Sequence, residues 1–543
     1  MSSLLRSLST ARRVGLLDPA TVAAAGAAAL MWGPSSAAAY SAASVRSPLR
    51  TAIIDDHGEL NYLQLEVRAN RVAAGLKAKG VRSGNPIGLL CRNHRGFVEA
   101  NIALAKLGAR IVYLNPGLPA SQLNEVIVRE DITLVIADRD LSERVEHPNV
   151  VIAAPEDDAD WTFPGVSKWR PLLQMPRPTA GDDPVVLTSG TTGAPKGTRR
   201  TAGRSTASAA FGVLDAIPFE RDDIVVLPAP LFHAWGLSQL LTAASLGGTV
   251  VLRRSFDPEQ VTSDVEAHGA TVLAVVPVML HRILQADPPF DLSSLRIVAS
   301  SGSALPGELA ARWIKRYGLN LYNLYGSTEV GQVSIATPSD LAHDPATAGR
   351  PVRGVEIRLI DDEGNELDKP GEIGRIVVKS GMHFDGYTDG NTKEIFDGYM
   401  AIGDQGRFDP DGRLYVLGRA DDMIISGGEN LFPSNIERAL MKHPRVDDVA
   451  VVGVADDDFG QRVRAVVVAT DLGNPDTLVA SIKKSITTEL ATHEKPREYV
   501  FVDALPRNAS GKILRRELTG SEASIPDLAV QPAAPKTRKK KRS

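Results

Sequence analysis

Leu187-Thr188-Ser189-Gly190-Thr191-Thr192-Gly193-Ala194-Pro195-Lys196-Gly197 is the stretch on which the reading of this 543-residue chain turns. The apolar run Val185 to Leu187 enters it as a strand, and three glycines and four hydroxyl residues then surround one lysine. Backbone N–H groups, hydroxyl donors and a single cation in one loop suit a polyphosphate. It is not the common P-loop: Pro195 stands where that motif has Gly before Lys, and Gly197 follows where it has Ser or Thr. The plain alternative is a flexible Gly/Ser/Thr turn, which suits a short GxxG better than a string of this length.

Outward from the loop, short β-rich runs alternate with helical patterns. Upstream lie Pro86 to Leu90, Ala109 to Leu114, Leu134 to Ala137 and Val150 to Ala153. Downstream lie Asp223 to Leu227, Thr249 to Leu252, Val272 to Val276 and Leu295 to Ser300. Near-continuous apolar strands separated by helices predict parallel sheets covered on both faces. Past Gly349 hairpin chemistry takes over: Ile357 to Ile360, the turn Asp361-Asp362-Glu363-Gly364, Gly374 to Lys379, and the glycine turns Asp385-Gly386 and Asp411-Gly412. From about Asp421 to Leu518 the pattern is a compact α+β module. Its elements are helix Asn435 to Lys442, strands Val446 to Val454 and Val463 to Thr470, helix Leu478 to Leu490 and strand Glu498 to Val502. From Thr519 the chain is Pro/Ala/Ser-rich and then basic, and disorder is expected there.

Charge separates the body from its ends. The formal net charge is −4, but six basic residues lie in Lys536 to Arg542 and three more (Arg6, Arg12, Arg13) in the first sixteen positions. Without them the body has 52 basic against 65 acidic residues, a charge of −13. A nucleic-acid binder carries its basic footprint on the folded domain, so DNA and RNA are excluded as main partners. Cys91 is the single cysteine, which excludes a disulfide scaffold and suits a reducing, cytoplasmic setting. The spacings of the ten histidines and Cys91 do not suggest a structural zinc site. The uncharged stretch Pro19 to Val45 has an apolar heart, Val22 to Trp32, too short to span a bilayer. Asp18-Pro19 reads as a helix start and Gly33-Pro34 as a stop; a cleaved targeting peptide is the other reading. Both ends look dispensable for chemistry.

Three more strings carry candidate chemistry. In Tyr322-Asn323-Leu324-Tyr325-Gly326-Ser327-Thr328-Glu329, a strand end can present an aromatic for stacking, a hydroxyl for a phosphate and a carboxylate for Mg²⁺. The next lies in Ile402-Gly403-Asp404, followed by Gly418-Arg419-Ala420-Asp421-Asp422 and Ser426-Gly427-Gly428-Glu429-Asn430. A carboxylate such as Asp404 is the standard partner of ribose hydroxyls, although a lone Asp is more often a turn residue. The last, Pro506-Arg507-Asn508-Ala509-Ser510-Gly511-Lys512-Ile513, is a loop carrying a lysine just before a helix.

In this order and at these distances, the four strings resemble the ATP-dependent adenylate-forming (AMP-binding) superfamily of acyl-CoA synthetases, peptide-synthetase adenylation domains and firefly-type luciferases. The resemblance spans roughly residues 45 to 520. It implies an α/β fold with a large N-terminal domain of two α/β subdomains plus a β-barrel, then a small mobile α+β C-terminal domain. The expected boundaries are a helical extension over 1–45, the large domain over 46–419, the small one over 420–520 with its hinge at Asp421, and a basic tail over 521–543. By the same resemblance, Thr188, Ser189, Gly190, Thr191, Thr192, Gly193 and Lys196 form the phosphate loop. Gly302, Ser303, Ala304, Tyr325 and Gly326 border the adenine, and Thr328 lies near the α-phosphate. Glu329, with Thr188, holds Mg²⁺; Asp404 and Arg419 meet the ribose or phosphates. Lys512 is the catalytic lysine, and Gly427-Gly428 enters for the thiol step when the small domain rotates. Ile402 departs from the family, which usually has Thr or Ser there, and Arg199-Arg200 is more charged than in many members.

The chemistry implied is attack of a carboxylate on the α-phosphorus of ATP, then of a thiol on the acyl adenylate. No enzyme nucleophile is needed, only positioning and charge neutralisation. The chain shows no carrier-protein domain, so CoA is the expected thiol, with a separate carrier protein second. Amino-acid-activating members place an Asp near Leu231-Phe232-His233-Ala234-Trp235-Gly236, and none stands here. His233, Trp235 and Gly236 are therefore expected to line an acyl pocket, though His233 and Trp235 read equally as core residues. Ala243-Ala244-Ser245-Leu246-Gly247-Gly248 is expected to leave room for a wide apolar tunnel. The expectation is a medium- or long-chain fatty acid, with an aryl or cyclic carboxylic acid next. A homologue that binds nucleotide without turnover is the reading from a different class, and Lys512 and Glu329 argue against it. The basic tail and N-terminal helix suggest weak attachment to anionic membranes. A homodimer is compatible with the sequence, which does not set the oligomeric state.

Overall fold

The computed structural model describes residues 3–153, 184–188, 195–199, 211–426, 429–456, 460–508 and 511–520, without the side chains of residues 3–6, Thr188 and Asn430. The chain divides into two units, Met1–Val416 with Ala509–Gly511, and Leu417–Asn508 with Lys512–Ser543. The division falls inside the strand Leu414–Arg419, three residues before the expected boundary.

Among the described residues, the first unit holds three sheets. The apolar runs upstream of the loop become the parallel core of a seven-stranded sheet. Its order is Gly386–Tyr387, Lys196–Arg199, Val185–Thr188, Arg110–Tyr113, Pro86–Leu90, Leu134–Ala137, Val150–Ile152. Their side chains are buried on both faces, as parallel strands require: Ile87, Leu89 and Leu90 are all fully buried. The downstream runs form a nine-stranded sheet in which Leu321–Ser327, Ile297–Ser300, Val272–Val275, Ile224–Val226, Thr249–Val251 and Thr51–Asp55 run parallel, with antiparallel strands at both edges. The expected barrel portion is a five-stranded antiparallel sheet of Val355–Ile360, Gly374–Ser380, Tyr399–Phe408, Ile395–Phe396 and Leu414–Arg419. Its first turn closes as the residue types dictate. Asp361 accepts from the Asn365 amide at 2.7 Å, and Gly364 takes a left-handed φ of +88°.

The second unit packs the helices Pro433–Met441 and Pro475–Ser485 on a sheet of Glu429–Leu431, Ile424–Ser426, Gly460–Ala469, Val446–Asp456 and Glu498–Phe501. Ile436, Val451, Val467, Leu478 and Ile482 form its core.

The N-terminal end departs from the expectation of a dispensable appendage. Three helices, Ser3–Arg13, Pro19–Trp32 and Ser36–Arg46, precede the first strand. Asp18 caps the second with Pro19 at its first position, and Gly33, at φ +68°, ends it. Arg13 donates to the carbonyls of Leu214, Ile217 and Phe219, at and just beyond the end of the helical turn 211–216, where a cation is favoured. Thr10 donates to Asp215 at 2.9 Å, and Trp32 lies 5.3 Å beneath the Lys106 ammonium. Val14, Tyr40 and Ala43 belong to the main core. This end is built into the first unit; residues 521–543 lie outside the described residues.

Candidate active site

Two parallel strands deliver the nucleotide-type residues, and both do so at their carboxyl ends, where open α/β sheets bind ligands. Val185–Thr188 leaves the seven-stranded sheet and returns antiparallel as Lys196–Arg199, with Thr188 directly opposite Lys196. Both ends of the phosphate-type loop are thereby held; Ser189, Gly190, Thr191, Thr192 and Gly193 lie outside the described residues. Gly197 is required by packing. A Cβ there would stand 2.6 Å from the Val185 side chain and 2.8 Å from the Thr388 hydroxyl. That closeness lets Gly386–Tyr387 pair with Thr198 and Arg199.

The pairing brings together residues nearly two hundred positions apart. Lys196 Nζ forms an ion pair with Asp389 Oδ2 at 2.9 Å and lies 5.6 Å from the Tyr387 ring centroid. The Tyr387 hydroxyl donates to Glu329 Oε1 at 2.7 Å. Next to it, Thr388 donates to Glu130 at 2.7 Å, and Arg129 donates to the Pro195 carbonyl. The hydrogen bond from Lys196, aided by the Asn391 amide, holds the Asp389 carboxyl down at about 2. Sequence reasoning missed Tyr387 and Asp389. The only local signal was the Asp385-Gly386 turn before them, and no spacing ties that turn to Lys196.

Glu329 sits at the tip of the hairpin joining Leu321–Ser327 to Gly331–Ala336, beside Thr328. Gly326 has no room for a side chain, since a Cβ would lie 2.3 Å from the Gly331 carbonyl oxygen. The Ser327 hydroxyl accepts from the Glu329 amide at 3.3 Å, and the Phe384 amide donates to the Glu329 carbonyl at 2.7 Å. A carboxylate with neighbouring hydroxyls, pinned at a loop tip, fits a hard divalent cation bound by few protein ligands.

Gly302-Ser303-Ala304 follows Ile297–Ser300 on the strand adjacent and parallel to the one bearing Tyr325. Gly302 turns with φ +90°, and the Ser301 hydroxyl donates to the Leu324 carbonyl at 2.8 Å, tying this turn to its neighbour. The Tyr325 hydroxyl donates to Asp404 Oδ2 at 2.5 Å. Asp404 reaches it through a bulge. Between the pairs Arg375–Gln405 and Val377–Ala401, Tyr399–Phe408 has two more residues than its partner strand, and Gly403 has φ +87°. Ile402, the departure noted above, is buried in the core.

The acid-pocket segment heads the helix Ala234–Leu246. His233 Nε2 is buried without a hydrogen-bond partner among the described residues, and desolvation lowers this imidazole to about 4. The ring is neutral near pH 7. The unfolded chain takes up this proton near 6.5, before the folded one does, so the contribution is full above 6.5 and is lost as pH falls toward 4. The loss amounts to up to about 3 kcal/mol. Urea melts of His233→Gln between pH 7 and 4.5 are expected to show a shallower loss of stability than the parent. Trp235 is anchored through Nε1 to the Val275 carbonyl at 3.0 Å. Gly236 allows the helix to meet Pro230, whose carbonyl oxygen would lie 2.2 Å from a Cβ. The wide tunnel expected from the small residues is not formed by them. Ala243 and Ala244 are core residues, Gly247 faces the Arg46 guanidinium, and a Cβ at Gly248 would lie 2.7 Å from the Asp223 carbonyl oxygen. Their smallness serves close packing.

In the second unit, Arg419 meets both carboxylate oxygens of Asp421, at 3.1 and 3.2 Å. Lys512 is exposed on a tight loop closed by reciprocal bonds: its amide donates to Asn508 Oδ1 and its carbonyl accepts from the Asn508 amide, both at 2.9 Å. Gly427 and Gly428 lie outside the described residues.

Away from these sites, Cys91, His94 and Asp138 come within 4.8 Å of one another, which the spacing argument did not foresee. His94 Nδ1 accepts from the Gly96 amide, so Nε2 carries the proton and donates to Asp138 at 2.7 Å. Arg92 and Arg254 also pair with Asp138. With both imidazole nitrogens committed, this is an ion-pair network that fastens a strand end.

Residues 41–388 match the family described as AMP-binding enzyme, and residues 435–512 match its C-terminal domain. The chain is 34% identical to a 2-succinylbenzoate–CoA ligase of Bacillus licheniformis, over 87% of this chain and 97% of that protein. It is also 34% identical to a feruloyl-CoA synthase of Amycolatopsis, covering 87% and 96%. A fatty acid–[acyl-carrier-protein] ligase of Streptomyces coeruleorubidus is 32% identical, covering 87% and 93%. Among solved structures, o-succinylbenzoate CoA synthetase from Bacillus subtilis with its acyl-adenylate superposes with a TM-score of 0.77 at 27% identity, covering 89% of this chain and 98% of that one. The chain belongs to the AMP-binding enzymes of the adenylate-forming superfamily and is an acid–thiol ligase that uses ATP and CoA.

Proposed function

We propose that this ligase activates an aryl or cyclic carboxylic acid, forming its adenylate and then its CoA thioester. The observation that carries the acid class is the pair of relatives at 34% identity over 87% of the chain, named for succinylbenzoate and ferulate. The fatty-acid expectation comes second. It loses its tunnel argument at Ala243 to Gly248 and keeps the Streptomyces relative, which also supports a carrier protein as alternative acceptor.

In this reading, Lys196 and the loop after Thr188 bind the polyphosphate, Tyr325 stacks on the base, and Asp404 receives the ribose hydroxyls. Glu329, with Thr188, would hold Mg²⁺, which when bound screens the phosphate charge against the incoming carboxylate. Lys512 stabilises charge on the phosphorus centre as a carboxylate oxygen bonds to it and pyrophosphate leaves. The thiol then attacks the acyl carbon and AMP departs. Arg419 orients the nucleotide, a hinge at Asp421 withdraws Lys512, and the Gly427-Gly428 segment takes part in the second step.

Competition among equimolar benzoate, cinnamate, ferulate, succinylbenzoate, octanoate and palmitate, with thioesters read by mass, tests the acid class. Aryl thioesters should lead by at least about tenfold, the range a shaped pocket gives. Dominant palmitoyl-CoA would overturn it.

The enzyme is also proposed to bind anionic membranes peripherally. Helix Pro19–Trp32 contains no charged residue and buries only Thr21, Ala28 and Trp32, leaving Val22, Leu30 and Met31 exposed. No described helix is long and apolar enough to cross a membrane. Leu30→Glu should abolish co-sedimentation with phosphatidylserine vesicles at low salt; unchanged binding sinks the idea.

A further inference from the structure

The Lys196–Asp389 pair has properties that a purely structural salt bridge does not need. Both groups are partly open to solvent, with side chains 38% and 27% exposed. Asp389 is fixed on the far side: its Oδ1 accepts from the Asn391 amide at 3.0 Å, which leaves Oδ2 turned to the lysine. Lys196 lies at the exit of the loop after Thr188, and its charge also faces the Tyr387 ring. An exposed ion pair of this kind is weak, so an anion of higher charge can take the lysine from it.

We propose that Asp389 is a built-in competitor for the nucleotide's polyphosphate: it holds Lys196 in place when no nucleotide is bound, yields it when ATP arrives, and takes it back as pyrophosphate leaves. The inference rests on the phosphate-binding role proposed for Lys196. Asp389 is then a positioning residue that sets ATP affinity and pyrophosphate release without touching the reacting atoms. The exchange costs little because the new partner replaces the old one at the same ammonium. The Asn391 turn keeps the vacated carboxylate where the lysine can return to it.

Equilibrium binding of ATP, pyrophosphate and AMP to the full-length enzyme tests this, using Asp389→Asn, Lys196→Ala and the double variant. The Asp389→Asn change keeps the side-chain shape and the turn to Asn391 but removes the charge. It is expected to tighten ATP and pyrophosphate by about threefold to fivefold, the range of an exposed pair. AMP, which lacks the outer phosphates, should be unaffected, and KM for ATP should fall while kcat does not rise. Lys196→Ala should weaken ATP by about tenfold or more, the effect of one charged hydrogen bond. In that background Asp389→Asn should have no further effect. If Lys196→Ala weakens ATP but Asp389→Asn leaves it unchanged or weaker, competition is overturned while the phosphate role of Lys196 stands. If Lys196→Ala leaves ATP binding intact, both fall. Matching melting temperatures for the parent and Asp389→Asn separate these outcomes from misfolding.

Discussion

Lys512→Ala is expected to lose acid-dependent adenylation by about 10³-fold, the upper range for removing one preorganised charge from a transition state. Thioester formation from supplied acyl adenylate and CoA should fall less than about threefold. The structure makes this variant informative. Lys512 is exposed, and its loop is closed by the Asn508 bonds and the Arg507–Ile513 bridge, none of which uses the lysine side chain. Alanine therefore removes the charge without opening a cavity, and the variant should melt with the parent. The two half-reactions are measured separately by pyrophosphate exchange and by single-turnover thioester formation. Equal losses in both would contradict the role assigned to this lysine.

Glu329→Gln should reduce adenylation by about 10²- to 10³-fold and raise the Mg²⁺ needed for half-maximal rate by at least about tenfold, because a neutral amide is a far poorer ligand for a hard cation. The replacement is nearly isosteric, and its carbonyl oxygen still accepts from the Tyr387 hydroxyl that now lies 2.7 Å from Oε1. Lost activity with an unchanged Mg²⁺ dependence would place the metal elsewhere. Titration of the exchange rate against Mg²⁺ at fixed ATP separates these results.

The strands were legible where burial on both faces forces an apolar run. Pro86–Leu90 and Leu134–Ala137 appear at the residues read from the pattern, and the three strands read in the second unit differ only at their ends, whereas its short strands Ile424–Ser426 and Glu429–Leu431 were not read. Glycine and proline punctuation was equally local: Asp18-Pro19 opens a helix and Gly33 closes it. What could not be read was contact across the sheets. Tyr387 meets Glu329, and Tyr325 meets Asp404, 58 and 79 positions away, through pairings and bulges that no local spacing encodes. The same limit misled the reading of Ala243 to Gly248. Small residues signal either a void or a close approach, and here Asp223 and Arg46 occupy the space. The N-terminal helices were underrated because their anchor, Arg13, binds carbonyls 201 to 206 positions later.

The most direct test of the central claim is carboxylate-dependent exchange of labelled pyrophosphate into ATP, run without CoA over the acid panel. An enzyme that forms an acyl adenylate on these residues gives exchange only when its acid is present, and adding CoA diverts the adenylate into thioester. ATP binding with no acid-dependent exchange for any member of the panel would contradict the account.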